Sequence, residues 1–451
     1  MHIQFCGANR EVTGSCHLLI TKNKKILVDC GMFQGSDFNE GKNFDDFPFD
    51  PKSIDALLVT HAHHDHVGRI PKLVKDGFNG PIYMTKATVE LTPLIWQDAF
   101  SIMSYDHEKF DYPTLFEQED MDRARVLCKG VDYGEVLDLG GGVTAVWRDA
   151  GHIFGSAFIE VVADGTRIGF SGDIGNDGVP ILKETEKLHE MDFLLCESTY
   201  GDRLHESIDS RRKIILDAIK RGVARGGTIM IPAFSLERTQ EILYELNTLS
   251  EYDHTLPNIP IFVDSPLAIN ATKVFEKYHE YYDEDAQKKY LSGDDFFDFP
   301  NLQLTYSKQE SQKLNSLKGA KLVIAGAGMM NGGRIQHHAI RYLPDPHSTL
   351  LIVGYQAYGT PGRRILDGDK TVTLLHQEIK VECAVEYVST LSGHGDQKKL
   401  TNWVSGGKGS SLHKVFCVHG EEHTALTFAN VLKDTCAVET YVPQYKETVE
   451  L

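Results

Sequence analysis

No stretch of this chain approaches the roughly 20 consecutive apolar residues that a membrane-spanning helix needs. No membrane association is therefore expected. The opening residues, MHIQFCGANREVTG, hold neither a basic start with an apolar run nor a small-residue cleavage site. A secretory leader is not expected. C-x-x-C pairs are absent as well. The eight cysteines (Cys6, Cys16, Cys30, Cys128, Cys196, Cys383, Cys417 and Cys436) stand singly, several inside apolar runs such as ILVDCG, FLLCES and KVFCVHG. They read as reduced core residues, which points to the cytoplasm. Basic charge is in short supply: 46 Lys and Arg face 64 Asp and Glu, a net charge of −18. That excludes a grip on nucleic acid through a broad basic face. A polynucleotide would have to be held by local positive charge, from metal ions and a few arginines. Low-complexity linkers and internal repeats are also missing.

What is present is an ordinary globular composition, 41% apolar and 24% charged, over 451 residues. That length supports two sizeable cores. Residues 1–60 alternate short strands and turns: HIQFCG, CHLLIT, KKILVDCG, IDALLVT. A helix is expected over 65–76, with Pro71 near its start. More short strands follow, many ending in a polar turn that carries His, Asp or Glu, so loops gather at one sheet edge. After about residue 205 the texture becomes strand–helix alternation. A helix is expected from about 207 to 225, then TIMIPAF as a strand, then a helix from about 235 with Ser235 as N-cap. This is the pattern of an α/β domain with a mostly parallel sheet. The expected plan is one domain interrupted by another: 1–205, an insertion over 206–368, and a completing part over 369–451.

The strongest signal is THAHHDHVGRIP. His61 and His63, two apart in an extended loop, can turn toward one divalent ion; Asp65 and His66 can face a second. Three further ligand types sit at strand ends beside glycine: His152 in DAGHIFGSA, Asp173 in FSGDIGN and His419 in FCVHGEE. Asp173 can bridge two ions. His64, His337, His338 and His423 are taken as structural or rim residues.

The H-x-H-x-D-H run, with Asp29 in LVDCGMFQG and the later His152 and Asp173, resembles the metallo-β-lactamase superfamily. That resemblance implies an α/β fold, an αββα sandwich with two zinc ions at one edge. It implies His61, His63 and His152 on one zinc, Asp65, His66 and His419 on the other, and Asp173 between them. Asp29 would orient the ligand loop. Further along, ESTYGDR, PAFSLERTQEIL, VDSPLA, GMMNGGRIQHH, GYQAYGTPGRRIL, LSGHGDQ and VHGEE resemble the β-CASP branch. These are nucleic-acid-processing proteins that include ribonuclease J and the cleavage and polyadenylation endonuclease. The family's motifs A, B and C fall on Glu197, His394 and His419. AGAGMMNGG and LSGHGD depart from the commoner forms without removing a functional side chain. The chain is similar to the short, two-domain form.

These features lead to an expected zinc-dependent hydrolysis of RNA phosphodiesters, endonucleolytic, 5′-to-3′ exonucleolytic or both. Two zinc ions acidify a water, so no side-chain nucleophile is needed. His394, oriented by Glu197, is the expected proton donor. Substrate phosphates are expected on Ser235 and Arg238 at a helix start, on Ser265, on the Gly332–Gly333–Arg334 turn and on Arg363. Each arginine has the plain alternative of an ion pair. The basic run Arg211, Arg212, Lys213, Lys220, Arg221 and Arg225 reads as a solvated helix face. Tyr105, Phe110, Tyr112 and Phe116 read as packing under a loop, with base stacking as the alternative. Single-stranded RNA is the expected partner, with a homodimer as a further expectation. Two other readings stay open: a small-molecule phosphodiesterase or thioester hydrolase, and a non-catalytic RNA-binding subunit.

Overall fold

Runs such as KILV, FLLCE and KVFCV are apolar on both faces, and each becomes an interior strand of a seven-stranded sheet. The computed structural model describes every residue except 36, 206–210, 355, 358, 389–391 and 408–410. The chain divides into two compact units. The first comprises Met1–Asp177, Lys183–Leu204 and His394–Leu451; the second comprises Gly178–Leu182 and His205–Gly393.

The first unit holds two seven-stranded sheets. One runs Thr448–Glu450, His2–Gly7, Cys16–Ile20, Lys25–Val28, Ala56–Leu58, Ile82–Thr85, Cys128–Val131. The other runs Glu439–Tyr441, Lys414–Val418, Phe193–Glu197, Thr166–Phe170, Ala157–Ala163, Val143–Asp149, Leu137–Gly140. Their inner faces share one core. Phe5, Leu19, Ile26 and Leu58 of the first sheet pack with Trp147, Ile159, Phe170 and Phe416 of the second. Trp147 is fully buried, and its indole N–H donates to the Val59 carbonyl at 3.0 Å. That bond ties the second sheet to the strand end that leads into His61. Helices Gln397–Gly406 and Glu422–Cys436 cover the second sheet through Leu400, Trp403, Phe428 and Leu432. Helix Lys86–Phe110 lies beside the first sheet, its Trp96 donating to the Val67 carbonyl at 2.8 Å. The αββα expectation holds.

The expected helix over 65–76 is broken. It forms as His64–Val67 and Ile70–Lys75, with Gly68 and Arg69 between. The 25-residue helix Lys86–Phe110, with Pro93 inside it, was not anticipated. At its far end Tyr105, Phe110 and Tyr112 are exposed, and only Phe116 is buried. Packing under a loop therefore describes Phe116 alone.

The second unit is built on six strands in the order Leu302–Leu304, Ile261–Val263, Lys321–Ala325, Thr228–Pro232, Thr349–Val353, Ala384–Val388. All neighbouring pairs are parallel. Met230, Val323, Leu350 and Ile352 form its core with Ile335 and Ala339 of helix Gly333–Tyr342 and with Leu343, which caps it. Residues 369–393, expected in the completing part, cluster with the second unit, where Ala384–Val388 pairs in register with Thr349–Val353.

The helix Arg211–Arg225 matches the described part of the one expected from 207; residues 207–210 lie outside the described residues. So do Tyr355, Tyr358 and Leu391 of the quoted motifs. The helical face is less solvated than expected. Arg211 is buried, Arg212 pairs with Glu245 at 2.7 Å, and Arg221 and Arg225 both reach Glu386.

Candidate metal centre

The strand Ala56–Leu58 ends in Val59-Thr60, and the next six residues turn across the edge of the first unit. Three imidazole nitrogens converge there. His61 Nε2 lies 3.1 Å from His63 Nδ1, and His152 Nε2 lies 3.2 Å from the same His63 Nδ1. Both Nε2 atoms are 3.5 Å from Asp173 Oδ2. Burial pushes His61 well below the usual imidazole range and His63 down to about 4. Both are therefore neutral near pH 7, with lone pairs to offer.

A second group meets beside it. His66 Nε2 and His419 Nε2 are 3.3 Å apart, and His419 Nε2 is 3.3 Å from Asp65 Oδ2. Asp173 Oδ1 stands 3.4 Å from His66 Nε2. Asp173 is buried, and its Oδ1 has no hydrogen-bond partner. A buried carboxylate oxygen without a hydrogen bond is costly unless a cation satisfies it. The donor set, imidazole and carboxylate at two adjoining clusters, fits divalent metal ions.

The ring nitrogens that face away from the clusters are held. Asp29 accepts from the Thr60 N–H at 2.8 Å, the Thr60 hydroxyl at 2.9 Å and His66 Nδ1 at 2.8 Å. The Thr60 hydroxyl donates to Asp29, so its oxygen accepts from His61 Nδ1 at 3.0 Å. On His66 burial works downward, but the carboxylates of Asp173 and Asp29 outweigh it and raise the group well above its usual value. Asp29 and His419 sit in the left-handed region, at φ 58° and 49°. Strain of this kind collects where surrounding structure fixes a site. Gly31 allows the approach: a Cβ there would lie 1.5 Å from the Asp65 carbonyl oxygen.

Next to these clusters, Glu197 is fully buried at the end of its strand. Its Oε1 accepts the Ile174 N–H at 2.6 Å and its Oε2 the Thr199 N–H at 3.3 Å. His394 Nδ1 is 3.3 Å from Glu197 Oε1 and 3.9 Å from Asp173 Oδ2. Burial alone would lower His394; the charges of Glu197 and Asp173 prevail and raise it to about 9. A dication beside Asp173 opposes that rise.

Sequence reasoning missed Thr60 and Thr199. A threonine at a strand end carries no signal alone, but both follow the strands that deliver ligand-type residues.

The expected phosphate-binding residues lie in the second unit and divide. Ser235 Oγ and Ser265 Oγ are 3.1 Å apart, beyond the carboxyl ends of Thr228–Pro232 and Ile261–Val263. Ser265 caps helix Pro266–Lys277, accepting from the Ala268 N–H. Gly326 lies against both hydroxyls, and Gly333, at φ 72°, opens its helix so close that a Cβ would lie 2.2 Å from the Gly326 carbonyl oxygen. Ser235 is not the N-cap of its helix, which starts at Arg238 after Glu237. Arg238 is buried and paired with Glu241, three residues on, so its charge is spent inside the fold. Arg334 donates to Asp264 at 2.6 Å and to the carbonyls of Thr305 and Tyr306. Arg363 makes an exposed pair with Asp367 at 2.9 Å, the only one of the three arginines to keep an exchangeable charge. His338 is buried and donates to Asp264 at 2.6 Å, while His64 lies 3.4 Å from Gln34.

Residues 9–185 match the Metallo-beta-lactamase superfamily, 239–365 the Beta-Casp domain and 378–443 the Zn-dependent metallo-hydrolase RNA specificity domain. The chain is 38% identical to Ribonuclease TTHA0252 of Thermus thermophilus, covering 96% of each. It is 30% identical to an RNase J-like protein of Methanocaldococcus jannaschii, over 98% of this chain and 97% of the other. It is 29% identical to the transcription termination factor FttA of the same organism, over 100% of this chain and 72% of that one. A crystal structure of a protein of unknown function from Enterococcus faecalis V583 shares the fold at TM-score 0.53 and 13% identity, covering 100% and 99%.

Proposed function

We propose that this chain, which belongs to the β-CASP branch of the metallo-β-lactamase superfamily, cuts single-stranded RNA with two zinc ions held across Asp173. The enzyme is a metal-dependent ribonuclease. One observation carries the two-ion reading. The two oxygens of a single buried carboxylate face two separate imidazole groups, Oδ2 toward His61 and His152, Oδ1 toward His66. We assign His61, His63 and His152 to one ion, Asp65, His66 and His419 to the other, and both to Asp173. When bound, such a pair supplies Lewis acidity toward the phosphoryl oxygens and toward water.

The side chains do the rest. His394, between Glu197 and Asp173, holds a proton at the edge of the cluster and delivers it to the leaving oxygen. Glu197, pinned by two backbone N–H groups, keeps that imidazole in place. Asp29 and Thr60 fix the tautomers of His66 and His61. In the second unit Ser235, Ser265 and the Gly332–Gly333 helix start offer donors to a substrate phosphate, with Arg363 as an exchangeable cation. Arg238 and Arg334 shape that region and are not proposed as direct contacts.

RNA is supported by the RNA specificity match over 378–443 and by relatives named ribonuclease. The net charge of −18 limits non-specific grip, so local contacts must carry affinity. All eight cysteines are free and seven are buried, which supports a reducing, cytoplasmic setting. Among the described residues no helix is long and apolar enough to cross a membrane. A homodimer is the assembly we expect, checked by mass in solution.

The test is direct. Zinc-loaded protein is incubated with 5′-labelled single-stranded RNA, matching DNA and bis(p-nitrophenyl) phosphate, beside an Asp65→Ala control. RNA cleavage by the intact protein alone supports the reading. Internal fragments mean endonuclease, and released mononucleotides mean exonuclease. Turnover of the small ester with both polymers untouched would overturn it in favour of a small-molecule phosphodiesterase.

A further inference from the structure

We propose that Thr199 is a positioning residue that sets which nitrogen of His419 faces the metal centre, and so governs the affinity of one of its two cation positions. The inference rests on the reading of His419 as a ligand.

The local fold brings the two together. Strands Phe193–Glu197 and Lys414–Val418 run parallel with Glu197 opposite Val418, so Thr199 and His419 leave the sheet side by side. The crossing is tight. Ser198 Oγ donates to the Val418 carbonyl at 2.8 Å, and the Ser198 N–H donates to the His419 carbonyl at 3.2 Å. A Cβ on Gly420 would lie 2.3 Å from Ser198 Oγ. His419 itself is held at φ 49°, its N–H on the Ala8 carbonyl at 2.8 Å. Backbone geometry thus fixes where the ring begins.

Backbone alone does not fix which nitrogen carries the proton. His419 Nε2 faces Asp65 Oδ2 and His66 Nε2, both at 3.3 Å. A lone pair there requires the proton on Nδ1. Near Nδ1 stand two oxygens. Asp173 Oδ1 is 3.5 Å away and makes no hydrogen bond. Thr199 Oγ1 is 3.1 Å away. The hydroxyl also lies 3.1 Å from the His419 carbonyl, which takes its single proton. Oγ1 is then left as an acceptor for Nδ1–H. With the hydroxyl donating to that carbonyl, Nδ1 carries the proton and Nε2 is bare toward the cluster.

The same turn touches the acid group. The Thr199 N–H binds Glu197 Oε2, and Glu197 Oε1 holds His394. Glu197 and Thr199 therefore align a metal-side imidazole and the proton-bearing one at once. Thr199 is the part of this turn that acts on His419.

The experiment uses zinc-loaded full-length protein and a chromophoric zinc chelator in competition, with zinc counted per chain. Thr199→Val, Thr199→Ala, Thr199→Ser and His419→Ala are compared with the parent, and circular dichroism monitors folding. Thr199→Val and Thr199→Ala are expected to release one zinc about 10–100-fold more readily than the parent, as loss of an outer partner does. The other zinc should keep its parental affinity, and Thr199→Ser should restore both. If Thr199→Val and Thr199→Ala hold both ions as the parent does while His419→Ala loses one, the role of Thr199 is refuted and the ligand reading stands. If His419→Ala also holds both at parental affinity, the ligand reading itself is wrong.

Discussion

Asp29 Oδ2 accepts His66 Nδ1 at 2.8 Å, and the other oxygen of the same carboxylate accepts the Thr60 N–H at 2.8 Å. One buried acid thereby fixes a ligand ring and the backbone at the start of the ligand loop. Asp29→Asn keeps the shape and loses the charge. Its zinc affinity is expected to fall about 10–100-fold, read as zinc retained after dialysis against a chelator, with the fold unchanged by circular dichroism. Parental retention would mean that Asp29 supports the loop without acting on the ion.

His394 touches Glu197 and Asp173 but lies outside the two ligand groups drawn above. His394→Ala should keep both ions and lose about 10²–10⁴-fold in the rate of RNA cleavage, the usual worth of a general acid. Glu197→Gln should give a smaller loss. Zinc content measured beside single-turnover rate separates the cases; departure of an ion from His394→Ala would make it a ligand instead.

Asp264 gives the second unit an acid sensitivity. Burial alone would raise its carboxyl, but His338, Ser311, Thr305 and Arg334 all donate to it and hold it well below the usual carboxylate range. A folded-state value depressed below the unfolded 3.8 stabilises the fold at higher pH, and that stability drains away as pH falls below about 4. Urea midpoints between pH 7 and pH 3 should show the decline. Asp264→Asn should start lower at pH 7 and change less with pH; an equal slope in both proteins would assign the decline elsewhere.

Trp147 spans the sandwich core of the first unit and anchors Val59, two residues before His61. Trp147→Ala should cost about 3–5 kcal/mol of stability, measured by denaturant unfolding of the zinc-free protein. Trp147→Phe, which keeps most of the volume and loses the N–H bond, should cost far less. If the two variants are equally destabilised, the bond to Val59 matters more than the packing.

The candidate ligands were legible because their signal is local: His61 to His66 fall within six positions, and His152, Asp173 and His419 each stand at the end of an apolar run beside glycine. The parallel sheet of the insertion was legible from strand–helix alternation for the same reason. What escaped depends on pairing across distance. Arg334 looks free in GGRIQ until Asp264, seventy positions earlier, takes its charge. Residues 384–388 read like any short strand until they pair with 349–353. Arg238 is a different case. Its partner Glu241 stands three residues on, at helix spacing, and burial of the pair is what the pattern does not reveal.

His419 comes 353 positions after His66, on a strand that must insert between Phe193–Glu197 and Glu439–Tyr441. On the proposed ligand set, the HAHHDH run supplies donors to both cation positions but completes neither. The position that includes His419 is complete only when Lys414–Val418 has paired with Phe193–Glu197 and carried His419 beside His66, so metal loading follows closure of the sheet rather than synthesis of the motif.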